Sequence, residues 1–295
     1  MSMTSALLAL NKEVKRTGGN LSQATGKFLG TETEVFKPDE FLRVSQIWYL
    51  CAREVVYRNL LPAPRPMETK SNMSMRLRMD TGTFLHSYFQ NRVFGPMGVL
   101  WGTWKRKKKT WVGFQPKPDW GFVEETLEDK DLKLRGHTDG MISLTRLEEY
   151  LETGVRNTVI AGDPKDLDLV LLEIKSTDDA KFRTIKETEW GQGEDSYRMQ
   201  ATTYQHMKGV AMTLVFYVDR KYFAMLDFKY SGEDTIWEKV VQKVTSVWHG
   251  IATRELPPRC DACLSLASPK AKTCPYAPAC FSSDPQEILR LAEAQ

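Results

Sequence analysis

The chain has 295 residues, of which 41% are hydrophobic and 27% charged, a composition ordinary for a globular protein with one large core or two smaller ones. Its 41 Lys and Arg residues against 38 Asp and Glu residues give a net charge of +3, too little to argue for a polyanionic partner without local clustering. The longest apolar run, Gly209 to Val218, is short of the roughly 20 residues that span a bilayer, so no membrane partner is expected. No basic residue precedes the short apolar stretch at the N-terminus, unlike a secretory signal, and we expect a cytoplasmic protein.

The first half of the chain predicts an arm, two helices and a group of strands. Residues 1–35 are rich in Ser, Thr, Gly and Lys and predict a flexible N-terminal arm. Apolar residues at helical spacing predict helices over 39–61 and about 75–94. Alternating Trp, Thr and Val with glycines predict short antiparallel strands over about 98–145.

The second half of the chain alternates predicted helices and strands. After an irregular segment at 146–166, we expect a strand at 168–175, helices at 178–189 and 195–208, strands at 211–218 and 222–230, and a long helix at 233–255. This order predicts an α/β fold with a mixed β-sheet flanked by helices, followed by a cysteine-rich tail.

The strand DLVLLEIK, residues 168–175, ends in two charged residues. Glu173 and Lys175 are two apart, so their side chains leave the same face of the strand. Asp139 follows a glycine-flanked turn and can reach the same edge. Two carboxylates suit Mg²⁺, which keeps waters for a phosphate substrate, and a lysine can orient or deprotonate such a water. An edge-strand ion pair with Lys175 in solvent is the structural alternative.

Four short motifs follow one another along the chain. They are G-x-x-x-H at Gly82–His86, G-x-x-D at Gly136–Asp139, E-x-K at Glu173–Lys175 and Q-x-x-x-Y at Gln200–Tyr204. Together the motifs resemble the PD-(D/E)xK nuclease superfamily, and specifically its RecB-like and Cas4-like branch. The resemblance implies a restriction-endonuclease-like core and a DNA exonuclease that depends on Mg²⁺ or Mn²⁺.

The resemblance also implies roles for the motif residues. Asp139 and Glu173 would be carboxylate ligands of the metal, the Ile174 carbonyl a further ligand and His86 a supplementary one, while Lys175 would position the attacking water. The alternative for His86 is a helix-face histidine without a task. His137 is expected to lie in the turn or to contact the metal ligands, rather than to be a ligand itself.

Gln200 and Tyr204 are four residues apart, and they share one face of the predicted helix with Tyr197. The resemblance places the first two beside the lysine on the substrate side, with Tyr197 a DNA contact. The alternative is a helix packed on the sheet, with Tyr204 as part of the core.

The five cysteines predict a structural metal site because four of them crowd into the tail of a chain without an export signal. Cys51 lies in a stretch that resembles the N-terminal ligand segment of the Cas4-type [4Fe–4S] cluster, and Cys274 and Cys280 match the last two ligands. The expected third position is Ala271 here, so Cys260 or Cys263 would replace it. Zn²⁺ bound by the four tail cysteines, with Cys51 as a buried bystander, is the alternative.

A basic run between two Thr-Trp pairs predicts a hairpin tip that contacts DNA, since clustered cations beside aromatic rings can follow a phosphate backbone and stack on unpaired bases. A solvated tip without a function is the alternative. The run consists of Lys105, Arg106, Lys107, Lys108 and Lys109.

The resemblance implies DNA with free ends or single strands as the partner, in a prokaryotic or phage-encoded protein. Recombination, repair, CRISPR adaptation and phage DNA metabolism are all settings of that branch, and a helicase, recombinase or CRISPR adaptation chain is a possible partner. A catalytically silent DNA-end-binding accessory protein is the second hypothesis. We expect an arm at 1–35, a nuclease core at 36–258 and a metal-binding tail at 259–295 that packs on the first helix.

Overall fold

The computed structural model describes residues 40–61, 73–155, 168–188 and 195–293. The predicted arm over 1–35 lies outside the described residues, as does the segment 156–167. Two compact units divide the chain. The described residues of the sheet unit lie within Asp39–Val56 and Thr83–Asp261, and those of the tail unit lie within Tyr57–Gly82 and Ala262–Gln295.

The helices follow the chain in an order close to the sequence prediction. They are α1 (Ala52–Leu60), α2 (Met73–Tyr88), α3 (Leu144–Thr153), α4 (Asp179–Thr188), α5 (Asp195–Lys208), α6 (Asp234–Thr253), α7 (Pro269–Thr273), α8 (Ala277–Cys280) and α9 (Pro285–Glu293). Helix α2 continues as a π-helix over Phe89–Phe94 and a further turn over Gly95–Met97.

The strands form two sheets within the sheet unit. They are β1 (Leu42–Arg43), β2 (Leu100–Arg106), β3 (Lys109–Phe114), β4 (Gly121–Val123), β5 (Glu125–Asp129), β6 (Leu134–Thr138), β7 (Met141–Ser143), β8 (Leu169–Thr177), β9 (Met212–Asp219) and β10 (Met225–Ser231). The larger sheet has the order β10-β9-β8-β7-β2-β3 with β4 also paired to β2, and the smaller sheet has the order β1-β6-β5.

The smaller sheet explains why the predicted helix over 39–61 is too long. Leu42 and Arg43 pair in parallel with β6, and the Leu42 amide donates to the Lys133 carbonyl at 2.8 Å. A 3₁₀ turn over Val44–Gln46 follows, and the α-helix begins only at Ala52. The apolar residues of this segment fill the core from a strand and a turn, so tertiary packing overrides their helical spacing.

Strand β8 lies in the middle of the larger sheet and is buried along most of its length. Leu171 packs into a core with α5 and α6, whereas Leu172 and Ile174 pack into a second core with α2 on the opposite face. Side chains of a strand alternate between faces, so Glu173 and Lys175 leave β8 on the face of Leu171 and α5.

Strands β2, β8 and β9 run in the same direction. β8 is parallel to β9 and antiparallel to β7, and β7 is antiparallel to β2. The β2–β3 turn, the last residues of β8 and the β9–β10 turn therefore lie at one end of the sheet. In open α/β sheets, ligands bind at the carboxyl ends of the parallel strands.

The predicted class, an α/β fold with a mixed sheet flanked by helices, is confirmed.

In the tail unit, the Tyr57 and Tyr276 rings stack with their centroids 5.9 Å apart. The three-part domain division stays a prediction. Among the described residues, no helix combines the length and apolar character needed to cross a bilayer.

Candidate active site

Asp139 lies between β6 and β7, against the middle of β8, and is 5% exposed. Its Oδ2 accepts a 2.7 Å hydrogen bond from the backbone N–H of Ile174, and its Oδ1 lies 2.8 Å from Nδ1 of His86. Gly140 follows with φ of 133°, a conformation open to glycine, and its carbonyl accepts from the amide of Leu172 at 2.9 Å. This turn brings the carboxylate against the strand that carries Glu173.

Glu173 and Lys175 form a buried charged pair that a glutamine holds in place. Lys175 Nζ donates to Glu173 Oε1 and also to Gln200 Oε1 at 2.9 Å. Gln200 Nε2 donates to Glu173 Oε1 at 2.8 Å, so one amide contacts both charges. Glu173 is 4% exposed, and the predicted alternative of a solvent-exposed lysine does not describe this pair.

The electrostatics keep Lys175 a cation and make Glu173 a weaker acid than usual. Burial raises the pKa of Glu173 to about 7, while the Lys175 ammonium lowers it and the Asp139 carboxylate raises it. Burial alone would lower the pKa of Lys175, but the Glu173 and Asp139 carboxylates hold that pKa above its ordinary value. Lys175 is therefore suited to orient a nucleophile and stabilise negative charge rather than to remove a proton.

Tyr204 packs in the core, as the structural alternative predicted, although it borders the charged pair. Burial raises the pKa of its hydroxyl, and the Glu173 carboxylate adds to the rise. A Cβ on Gly136 would lie 2.6 Å from this hydroxyl, so a glycine in β6 makes room for the ring. This contact gives the glycine of the G-x-x-D motif a packing role.

Tyr197 connects the buried lysine to a second cation. Lys175 Nζ lies 4.8 Å and Lys181 Nζ 4.9 Å from the centroid of its ring. An edge-on contact with Tyr217 at 5.9 Å holds the ring in place. His137, in contrast, is exposed on β6, with Nδ1 3.1 Å from Thr126 Oγ1.

His86 approaches the site from the last turn of α2. Burial lowers the pKa of its imidazole, but the hydrogen bond and charge of Asp139 more than offset this, and the net direction is upward. The π-helix over Phe89–Phe94 begins three residues later. Such π-segments occur often at functional sites, and here the segment carries Gln90.

Gln90 and Glu124 belong to this site, although neither was predicted from the sequence. The Gln90 Nε2 donates to the Asp139 backbone carbonyl at 3.0 Å and to Glu124 Oε1 at 3.3 Å. The signal for Gln90 is its spacing, four residues after His86 on a helix. Glu124 lies in the acidic stretch EETLED, which the sequence alone ties to no site.

The residues around Asp139 fit a hard divalent cation. Donor atoms of His86, Glu124 and Asp139 all lie within 4.8 Å of one another. Carboxylate oxygens with one imidazole suit Mg²⁺ or Mn²⁺ better than a soft metal. Glu173 does not belong to this group of three, and its Oε1 accepts hydrogen bonds from Lys175 and Gln200.

The basic hairpin lies at the same end of the sheet as these residues. Its turn is at Lys107 and Lys108, with φ of Lys107 at 53°, as the sequence predicts for a hairpin tip. All five basic residues are exposed, and Arg106 Nε pairs with Asp119 at 2.8 Å. Trp101 on β2 pairs with Met141 on β7, and Met141 pairs with Leu171 on β8, so these three residues lie side by side across the sheet. Lys105 and Lys175 are each four residues further along their strands, toward the same end of the sheet.

None of the five cysteines forms a disulfide bond, and they are divided between the two units. Burial raises the pKa of Cys51 to about 11, and the neighbouring Cys260 thiol contributes to the rise. These two cysteines belong to the sheet unit. Cys263 and Cys280 are buried in the tail unit, where Cys274 is partly exposed.

No protein-family model matches the chain, and no curated protein matches its sequence. Among solved structures, LHK-Exo in complex with dAMP, an alkaline exonuclease from Laribacter hongkongensis, is 13% identical with a TM-score of 0.43, over 73% of this chain and 89% of that one. The protein SSO0001 is 12% identical with a TM-score of 0.39, over 96% and 98% of the two chains.

A phage-related exonuclease from Haemophilus somnus 129PT is 9% identical with a TM-score of 0.33, over 72% of this chain and 94% of that one.

Proposed function

We propose that this protein is a metal-dependent DNA exonuclease that hydrolyses phosphodiester bonds. The observation that carries the proposal is the meeting of two buried carboxylates, Asp139 and Glu173, with the Lys175 ammonium at one end of a mixed sheet. Burying three charges costs free energy that a purely structural ion pair does not recover well. Perturbed ionisable groups grouped in this way are typical of catalytic sites.

His86, Asp139 and Glu124 would hold a divalent cation, with Glu173 and the Ile174 carbonyl as the further ligands that the family resemblance implies. Bound there, Mg²⁺ or Mn²⁺ would supply an activated water and neutralise charge on the phosphate. Asp139 is fixed for this task by the Ile174 amide, His86 and Gln90, so its oxygens keep their orientation.

Lys175 orients the attacking water and offsets negative charge in the transition state. Gln200 and Glu173 fix its ammonium, and the Tyr197 ring covers it. Gln200 and Tyr204 act on the reaction through this lysine and Glu173. Lys181, beside Tyr197, adds a second cation for a strand that approaches the site.

The RecB-like and Cas4-like branch remains part of this proposal through the motifs alone. It favours DNA with free ends or single strands, and recombination, repair, CRISPR adaptation or phage DNA metabolism as the setting. The basic hairpin at Lys105–Lys109 would bind the phosphate backbone.

The cysteines would hold a structural [4Fe–4S] cluster, or Zn²⁺ as the alternative, through four of the five thiols. The neighbouring thiols of Cys51 and Cys260 fit the cluster version, in which Cys51 is a ligand. Metal binding would deprotonate Cys51, because the thiolate is the form that binds.

A comparison of linear and closed circular DNA tests the proposal. With Mg²⁺ or Mn²⁺, end-labelled linear DNA should release nucleotides, while covalently closed circles stay intact. Without added metal, neither DNA should be cut. Binding of DNA ends without release of nucleotides under any of these conditions would favour the alternative, a catalytically silent end-binding protein.

A further inference from the structure

The β9–β10 turn, Arg220–Ala224, exposes two neighbouring aromatic rings. Tyr222 is 64% exposed and Phe223 59% exposed. No motif in the sequence assigns this turn a function. Large aromatic side chains normally bury most of their surface, so a pair held in solvent at one turn needs an explanation.

Hydrogen bonds make this turn rigid. Asp219 is 1% exposed, and its carboxylate accepts from the amides of Lys221 at 3.0 Å and Tyr222 at 2.8 Å. The backbone also closes on itself, with the amide of Phe223 donating to Asp219 and the amide of Asp219 to Ala224, both at 2.9 Å. A buried carboxylate therefore fixes the turn that presents the rings.

Phe223 has φ of 56°, in the left-handed region that side chains with a bulky Cβ substituent rarely adopt. Glycine or asparagine would fit this conformation with less strain. Backbone strain of this kind persists where the surrounding structure enforces it, often at binding sites.

The turn itself carries cations and no acidic side chain. Arg220 and Lys221 immediately precede the two rings in sequence, and Lys221 Nζ lies 4.6 Å from the centroid of Tyr222. The neighbouring acid on α4, Asp179, is already paired with Arg183. The combination of flat rings and positive charge is complementary to a nucleobase next to its phosphate.

The turn also lies at the end of the sheet that carries the candidate active site. Val215 pairs with Glu173 and Asp219 with Thr177, and the Arg220 amide donates to the Thr177 carbonyl at 2.9 Å. Four residues of strand separate the level of Glu173 from that of Asp219, which is about 13 Å. This distance equals about four stacked bases at about 3.4 Å each.

We propose that Tyr222 and Phe223 form a stacking site for an unpaired base, about four nucleotides from the phosphate at the active site. This inference rests on the proposed function, whose substrate it narrows to DNA that is single-stranded over those nucleotides. The turn sets how long an unpaired segment must be before it binds well.

Short single-stranded oligonucleotides test the stacking site. Each oligonucleotide carries one 2-aminopurine, placed at successive positions, and binding is followed by anisotropy and by fluorescence without added divalent cation. The wild-type protein should gain affinity once the strand reaches about four nucleotides past its bound end, and stacking should quench the probe there. Tyr222→Ala with Phe223→Ala should lose both effects, with about a tenfold loss of affinity for each ring.

Two control variants separate stacking from other effects. Tyr222→Phe keeps a flat ring and should bind as the wild type does, whereas an equal loss in Tyr222→Phe and Tyr222→Ala overturns stacking. Tyr49→Ala removes an exposed aromatic ring elsewhere and should change nothing. Equal affinity of the double variant and the wild type also overturns the inference, and a protein-docking role for the turn would give that result.

A chromogenic phosphodiester without bases distinguishes failure of the inference from failure of the proposed function. If the protein hydrolyses this small substrate in a metal-dependent way, and the double variant binds the oligonucleotides as tightly as the wild type, only the stacking site is overturned. If the double variant loses stacking, but the wild-type protein hydrolyses neither DNA nor the small diester, only the proposed nuclease function is overturned.

Discussion

Asp139 connects the parts of the candidate site that lie on β8 and on the helical segment with His86 and Gln90. Its carboxylate contacts the backbone of β8 and the imidazole of α2, and its carbonyl accepts from Gln90. Glu173 and Lys175 are linked to each other and to α5 by a single amide, that of Gln200. Asp139 is thus fixed by β8 and α2, and the Glu173–Lys175 pair is fixed by α5.

Gln90→Leu should weaken the site without changing its ligands. The variant keeps a similar volume but removes the amide that donates to the Asp139 carbonyl and Glu124. Removing a group that orients metal ligands typically costs about 10- to 100-fold in metal affinity or activity. Hydrolysis rates over a Mg²⁺ series should show a higher half-maximal concentration.

Ser87→Ala, one residue after His86 on the same helix, is the control for Gln90→Leu and should leave the Mg²⁺ dependence unchanged. Thermal melting of both variants reports whether the fold is intact. A Gln90→Leu variant whose hydrolysis shows the wild-type Mg²⁺ dependence would contradict the orienting role.

Metal affinity should fall below neutral pH. Burial raises the pKa of Glu173 to about 7, so protons compete with the cation below that pH. If Glu173 is a ligand, calorimetric titration with Mg²⁺ should give an apparent Kd that rises about tenfold per pH unit below about pH 7. An apparent Kd that is the same about one pH unit below and about one pH unit above the pKa of Glu173 would exclude Glu173 as a ligand.

The same shift has the opposite sign for the stability of the metal-free protein. The Glu173 carboxyl holds its proton more tightly in the fold, with a pKa of about 7, than at its ordinary pKa of 4.5. Its contribution to the free energy of unfolding is therefore fully present below pH 4.5 and is lost as the pH rises through about 7.

At the scale of elements, strand order gathers parts that are distant in sequence. Three strands of one direction bring the basic β2–β3 hairpin, the end of β8 and the β9–β10 turn to one end of the sheet. The sequence predicts each of these elements, but their common end depends on the pairing of β7 between β2 and β8.

The basic hairpin should contribute affinity for DNA with little regard to base sequence. Replacing Lys107, Lys108 and Lys109 by Ala should weaken oligonucleotide binding and lower the salt slope by about one for each phosphate that is no longer neutralised. Anisotropy titrations over a series of salt concentrations measure both quantities. Exposed lysines on other elements, Lys130 and Lys239, provide the control, and an equal effect of their replacement would argue against a hairpin site.

Sequence patterns predicted the residues whose chemistry is local. Glu173 and Lys175 share a strand face, and Gln200 and Tyr204 share a helix face, so periodicity alone groups each pair. Glu124 has no such signal, because it reaches His86 and Asp139 only through the fold. The helix over 39–61 was predicted too long because a parallel strand pair with β6 cannot be read from one segment.

At the scale of the whole molecule, the sequence does not decide whether the cysteines bind a [4Fe–4S] cluster or Zn²⁺. Anaerobically purified protein should be brown and contain iron if Cys51 is a cluster ligand, and Cys51→Ala should then lose the visible absorption. Colourless protein with zinc, whose metal content Cys51→Ala leaves unchanged, would instead identify a site of the four tail cysteines.

If the proposed function is correct, the buried carboxylates Asp139 and Glu173 serve chemistry rather than folding. Glu173→Gln and Asp139→Asn keep the shapes of these side chains while removing their negative charge. Since burial already favours the neutral form of Glu173, we expect its glutamine variant to fold and melt near the wild type.

The most direct test is the rate at which these two variants release nucleotides from end-labelled single-stranded DNA with Mg²⁺ or Mn²⁺. We expect each rate to fall by at least about 100-fold while both proteins still bind DNA. Folded variants that degrade DNA at the wild-type rate would contradict the assignment of this site.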